Sequence, residues 1–261
     1  MKNGRRYKII SKTKTPFFLI VFLVSVCLIL SNQKVYAEQT IINIPSSEVL
    51  PAENIILKES NRFNSHFDNG TTTLTPSVIF GVGHGLEFAT GVGTTFNDNH
   101  IIRGNFSAKK VFFLGSSTRL TIGGSINPYF SANSTPDSFF YTHLSQRIKK
   151  TRTSLTAGAY VHGQKSMPNE GGVLFGIEQV IIPNKLRFAM DWISGDDSYG
   201  KMGVGLKYRP IPSLSITSAV IIPNRETETM GFNVSVSKFI SLKDYKTNQK
   251  EDIPCQEQKN L

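Results

Sequence analysis

Between residues 54 and 240 the chain alternates apolar and polar positions in about twelve successive stretches, and the connections between them alternate short and long. Leu155, Ala157, Ala159 and Val161 share one face of an extended segment; Thr156, Gly158, Tyr160 and His162 share the other. Met202, Val204, Leu206 and Tyr208 oppose Gly203, Gly205, Lys207 and Arg209 in the same way. A period of two is that of a β-strand with chemically different surroundings on its two sides. The pattern predicts strands at 54–63, 72–82, 85–96, 101–113, 117–130, 138–149, 152–164, 171–182, 185–194, 200–209, 213–222 and 229–240. Ten strands is the alternative count, because 54–63 and 101–113 alternate poorly.

The connections separate this barrel from a soluble sandwich. Gly83-His84, Gly115-Ser116, Lys150-Thr151, Pro183-Asn184 and Ile211-Pro212 are tight. The intervening connections, 64–71, 97–100, 131–137, 165–170, 195–199 and 223–228, are longer and mostly polar. Short turns on one side and long loops on the other are expected of a closed barrel that crosses a membrane. An even strand number then puts both termini on the short-turn, periplasmic side. The predicted fold class is all-β, a transmembrane antiparallel up-and-down barrel of about twelve strands behind a signal peptide.

The ends of the chain support export. Lys2, Arg5, Arg6, Lys8, Lys12 and Lys14 precede an apolar run from Phe17 to Leu30 that is broken only by Ser25. That length suits a signal peptide and is short for a membrane helix. Val35-Tyr36-Ala37 predicts cleavage between Ala37 and Glu38, giving a signal peptide over 1–37 and a periplasmic N-terminal segment over 38–53. Cys27 follows Val26 rather than a small residue, which argues against lipidation. The formal charge of +10 is concentrated in this segment, which holds seven of the 29 Lys and Arg and none of the 19 Asp and Glu. The remainder carries 22 bases against 19 acids. No clustered basic patch for nucleic acid remains. Cys255 is the single cysteine after processing, so no intrachain disulfide can staple the exported domain. Residues 241–261 are polar and mixed in charge, the composition of a flexible periplasmic tail.

Aromatic residues gather near predicted strand ends. Phe96, Tyr129, Phe130, Phe139, Phe140 and Trp192 lie by the long loops; Phe80, Phe112, Phe113, Tyr208 and Phe239 lie by the short turns or the periplasmic end. Two belts at the lipid–water boundaries are predicted from them. The opposite strand face offers Glu87, Arg103, Lys109, Arg147, Glu178, Arg187, Asp191, Lys207 and Arg209 as lumen-lining charges. Six of these nine are basic, which predicts a weak anion preference for any open pore.

The signal segment, the amphipathic strands and the sorted turns resemble a single-chain, porin-like bacterial outer-membrane β-barrel, over residues 54–240. The resemblance implies a Gram-negative outer membrane, contact with its lipid and with the barrel-assembly machinery, and a narrow channel for ions or small solutes or a structural barrel. Such barrels usually end on an aromatic residue that the assembly machinery reads, whereas here a polar tail follows Phe239.

His143-Leu144-Ser145 puts a base and a hydroxyl on one strand face, where the imidazole could take the serine proton during acyl transfer. The motif resembles the His-x-Ser core of outer-membrane phospholipases and lipid A deacylases, though no third member can be matched. A lipid acyl hydrolase using His143 and Ser145 is therefore one alternative, and a surface adhesion or scaffold barrel acting through its loops is another. The five histidines, 66, 84, 100, 143 and 162, lack metal-ligand spacing. No metal and no cofactor is expected.

Overall fold

The computed structural model describes residues 40–64, 71–96, 101–130, 136–164, 167–196, 199–226 and 228–242. The signal peptide, its cleavage point at Ala37 and Glu38, and the tail from 243 lie outside them. Twelve strands follow one another: β1 (Asn54–Asn64), β2 (Thr71–Gly83), β3 (Leu86–Phe96), β4 (Ile101–Phe113), β5 (Thr118–Asn127) and β6 (Asp137–Ile148). Then come β7 (Thr153–Gln164), β8 (Met167–Ile182), β9 (Leu186–Ile193), β10 (Lys201–Ile211), β11 (Leu214–Pro223) and β12 (Gly231–Ser241). Each pairs antiparallel with its sequence neighbours, and β1 closes on β12 from Asn54↔Ser241 to Asn64↔Gly231. Among the described residues the strand count is twelve, and not ten.

Most strand bounds shift by one or two residues from the sequence reading, and two strands differ by more. β8 starts at Met167 rather than 171, and β5 ends at Asn127 rather than 130. Past Asn127 the chain leaves β6 but stays on β4: Gly104 donates to the Pro128 carbonyl at 2.8 Å and Phe130 donates to that of Ile102 at 2.9 Å.

The short-turn end is built from residues that tolerate left-handed backbone. His84, Arg152 and Asn184 have φ of 50°, 57° and 61°, beside Gly83 and Gly85 at 95° and 77°. Two-residue hairpins prefer this conformation, because it matches the twist of the strands they join.

The apolar side chains point outward. On β6, Phe139, Tyr141, His143 and Ser145 are buried, while Phe140, Thr142, Leu144 and Gln146 are exposed. Phe88, Phe106, Ile122, Val161, Phe175, Leu206 and Phe232 stand equally bare around the outer wall. An apolar patch of that extent is not sustained in water, and it suits acyl chains. Apart from β9, which has 8 residues, the strands run from 10 to 16 residues, long enough to cross a bilayer at a tilt.

The segment ahead of β1 departs from expectation. Residues 38–53 read as a periplasmic linker, yet Thr40 to Leu50 lies inside the barrel, with Ile41, Ile42, Ile44, Ser46, Ser47 and Leu50 buried. Three isoleucines within four residues have no reason to remain in water when an apolar pocket is available. The chain reverses over Ile41–Ile44, where Ile41 donates to the Ile44 carbonyl at 2.8 Å and Thr40 bridges Pro45. Glu53, at φ 58°, turns it from the lumen into the wall.

Candidate functional site: the plugged lumen

The reversal at the top of the plug wraps a carboxylate. Asp191 Oδ2 on β9 accepts the backbone N–H groups of Ile42, Asn43 and Ile44 at 2.8, 2.6 and 2.8 Å, and its Oδ1 accepts Asn43 Nδ2 at 2.9 Å. Successive amides that converge on one anion form a nest, here supplied by the plug and filled by the wall. The wall also thins to let the plug approach. A Cβ on Gly203 would lie 2.5 Å from Asn43 Nδ2, one on Gly176 would strike Ile41, and one on Gly81 would strike the Pro51 carbonyl.

Below the turn, the plug meets the predicted lumen charges one after another. Lys207 on β10 donates to the Thr40 carbonyl at 2.6 Å and pairs with Glu178 at 2.7 Å. Lys109 on β4 pairs with Glu87 at 3.3 Å and donates to the carbonyls of Ser46 and Glu48 at 3.2 and 2.7 Å. Glu87 in turn accepts the Leu50 N–H at 3.0 Å. Arg187 holds Glu48 at 3.0 Å. The guanidinium of Arg209 lies 5.7 Å over the ring of Phe239. Arg147 lines the short-turn mouth, and Arg103 lines the cavity at the loop end.

His143 and Ser145 also face inward, 1% and 4% exposed. Ser145 Oγ stands 3.4 Å from His143 Nδ1, and the plug caps the pair: Ser47 Oγ lies 2.6 Å from Ser145 Oγ and 3.4 Å from His143 Nδ1. Thr156 Oγ1 takes a further position at 2.7 Å from Ser145 Oγ. The hydroxyl is held in a network of other hydroxyls, on the opposite face of the wall from lipid.

The belt residues divide. Phe80, Phe96, Phe112, Phe130, Phe140 and Tyr208 are exposed. Phe113 is exposed too, but it pairs with Arg119 and shares strand parity with buried Lys109 and Val111, so it stands at the short-turn mouth of the lumen and not in a lipid-facing belt. Trp192 stacks on Phe175 at 6.1 Å and donates Nε1–H to Asn224 at 3.2 Å. Tyr129 lines the lumen cavity. Phe139 and Phe239 correct the belt expectation: both are buried inside the barrel. Phe139 shares its face with Tyr141 and His143, and stacks on Tyr160 and Tyr199 at 5.2 and 5.0 Å. Phe239 shares its face with Asn233 and Ser235 and packs with Leu50 of the plug, Ile56 and Ile79. Tyr199, just outside β10, donates to Asp137; burial first and that carboxylate second push its phenol pKa far upward.

Beside the plug a cavity of about 650 Å³ remains, lined mostly by β1–β5, β11 and β12. Its charged residues are Lys58, Arg62, Arg103, Lys109 and Lys201 against Glu87. Arg62 donates to Asn43 Oδ1 of the plug at 3.0 Å. The sequence reading missed the plug, Glu48, Lys58, Arg62, Arg119, Lys201 and the inward tyrosines. The one signal for the plug was Ile41, Ile42 and Ile44 in an otherwise polar linker.

No protein-family model matches the sequence, and no curated protein matches it. Solved structures match in architecture. The KdgM porin aligns at TM-score 0.53 and 12% identity, covering 70% of this chain and 98% of that one. An outer-membrane channel from Pseudomonas putida F1 aligns at TM-score 0.53 and 9% identity, covering 75% and 98%. The fold is that of a porin-like outer-membrane β-barrel. At these identities the likeness is one of fold. It covers most of the closed wall of twelve strands.

Proposed function

We propose that this protein is an outer-membrane channel for small anions, held shut by its own N-terminal segment. The observation that carries the reading is the lumen: five basic side chains against one acid line the cavity, and that acid is paired with Lys109. A polar, cationic cavity inside an apolar wall has no role in packing; it favours an anion that sheds part of its water. The plug occupies the part of the lumen beside this cavity, and on this reading the form described here is the closed one.

The chemistry proposed is passive. An acyl chain approaches the barrel from outside, whereas Ser145 and His143 look inward beneath Ser47. Activation of a serine for acyl transfer needs a base in hydrogen-bond contact and access for the carbonyl. Fatty-acid release from phospholipid or lipid A by the refolded protein is expected to be nil, and release abolished by Ser145→Ala would reverse this reading.

The decisive experiment is planar-bilayer recording of the refolded protein with and without residues 40–50. The intact chain should conduct rarely, and the shortened chain should conduct steadily, with a reversal potential on the anion side under a salt gradient. Cation selectivity in the shortened chain would end the proposal.

A further inference from the structure

At the short-turn mouth the barrel concentrates arginine. Arg119 on β5, Arg147 on β6 and Arg187 on β9 face the lumen there, and Arg152 in the β6–β7 turn joins them around one small pocket. The register spaces them with short side chains: Arg119 sits opposite Ser145, and Arg147 sits opposite Ser154. Two carboxylates share the pocket, Glu178 and Glu48. Glu178 also serves Lys207 at 2.7 Å. Glu48 belongs to the plug and reaches Arg187 at 3.0 Å. Next to it Arg119 donates to the Ser47 carbonyl at 3.1 Å and lies over the Phe113 ring. Among the described residues, no carboxylate pairs with Arg119, Arg147 or Arg152.

We infer that this pocket is an anion site, that Glu48 is its tethered occupant, and that a polyvalent phosphate-type anion takes Glu48's place and loosens the plug. Four guanidinium forks face Glu48 and a Glu178 already engaged by Lys207, and phosphate oxygens match the forks that these two carboxylates leave over. The free space beside Glu48 is only about 50 Å³, enough for one or two waters, so an incoming anion must displace the glutamate. The exchange is affordable, because the Glu48–Arg187 pair is about a quarter exposed and such pairs are weak. Ser46 and Ser47 directly precede Glu48, and the carbonyls of Ser46 and Glu48 accept from Lys109 while that of Ser47 accepts from Arg119, so movement of Glu48 pulls on the stretch of plug that crosses the lumen. The inference uses the plug but not conduction, so it can fail or stand apart from the channel reading.

The test is calorimetric titration of pyrophosphate into the refolded processed chain in zwitterionic detergent, at constant ionic strength. Glu48→Gln removes the tethered competitor and should tighten binding by about fivefold. Arg147→Gln with Arg152→Gln, both exposed positions, should weaken it by about tenfold or more. Heat-modifiable gel migration checks that each variant has folded. In a Cys255→Ser background, pyrophosphate should also speed maleimide labelling of Ser46→Cys. Equal affinity of the wild type and Glu48→Gln would overturn the inference. So would binding that survives the double arginine change, labelling that does not respond, or no binding in either the wild type or Glu48→Gln.

Discussion

The two sides of the lumen are made by the same device and come out differently. Along β6–β9 the inward positions include Phe139, Tyr141, Tyr160, Leu174 and Ile193, and the plug's isoleucines cluster with them. Along β1–β4 the inward positions are Lys58, Ser60, Arg62, Thr73, Thr75, Ser77, Arg103, Asn105 and Ser107, and the space before them stays open. Both walls obey the period of two, and both present an apolar row to lipid, while only the β6–β9 wall turns large apolar groups inward as well. Strand alternation therefore decides which side chains face in, while the hydropathy of those side chains decides whether the interior closes. The plug lies where apolar surface needs covering, and it leaves the hydroxylated and cationic wall wet.

The sharpest way to break this asymmetry is to remove the plug. Deleting residues 40–50 should turn brief, rare openings into continuous conductance, while leaving heat-modifiable migration intact, because the wall is closed by its own strand pairing. Next comes Asp191→Ala, which strips the shared acceptor from three backbone amides. Each buried amide left unpaired costs about 1–3 kcal/mol, so the released fraction should rise by roughly a hundredfold or more. Maleimide access to a cysteine at Ile44 would report it, and unchanged protection would show that the nest does not hold the plug. Gly203→Val should act in the same direction with a smaller effect, about 1–3 kcal/mol from overpacking, because its side chain collides with Asn43 and Ile42. The smallest effect belongs to the open wall. Arg62→Gln with Arg103→Gln in the shortened chain should move the reversal potential toward zero while leaving the conductance large. A reversal potential that does not move would locate the selectivity elsewhere.

The wall was legible because every part of its signal is local. Turns at His84, Arg152 and Asn184 and alternation along β7 or β10 need only neighbours in sequence. The aromatic belts were half legible. Phe139 and Phe140 are adjacent, so only one can look outward, and proximity to a strand end does not say which; strand parity does. Phe239 invites the same error, because it ends a strand at the membrane boundary yet shares parity with Asn233 and Ser235. The plug was illegible for a different reason. Thr40 to Pro51 has neither helical nor strand period, since its shape is set by Asp191, Lys109 and Lys207 far along the chain. The lumen charges could be named but not paired, because Glu48, the partner of Arg187, lay in a segment read as a linker.

One consequence of the β1–β12 seam concerns the order in which the molecule can be made. Its two halves are the first and last strands of the wall, so both rims stay unzipped until the final stave has been synthesised. Rims of that kind pair with whatever extended chain they meet. The stopper, by contrast, is joined to the first stave by Ala52 and Glu53 alone. A cask that closes on its last stave with the cork already tied beside its first can be sealed from within as it is assembled.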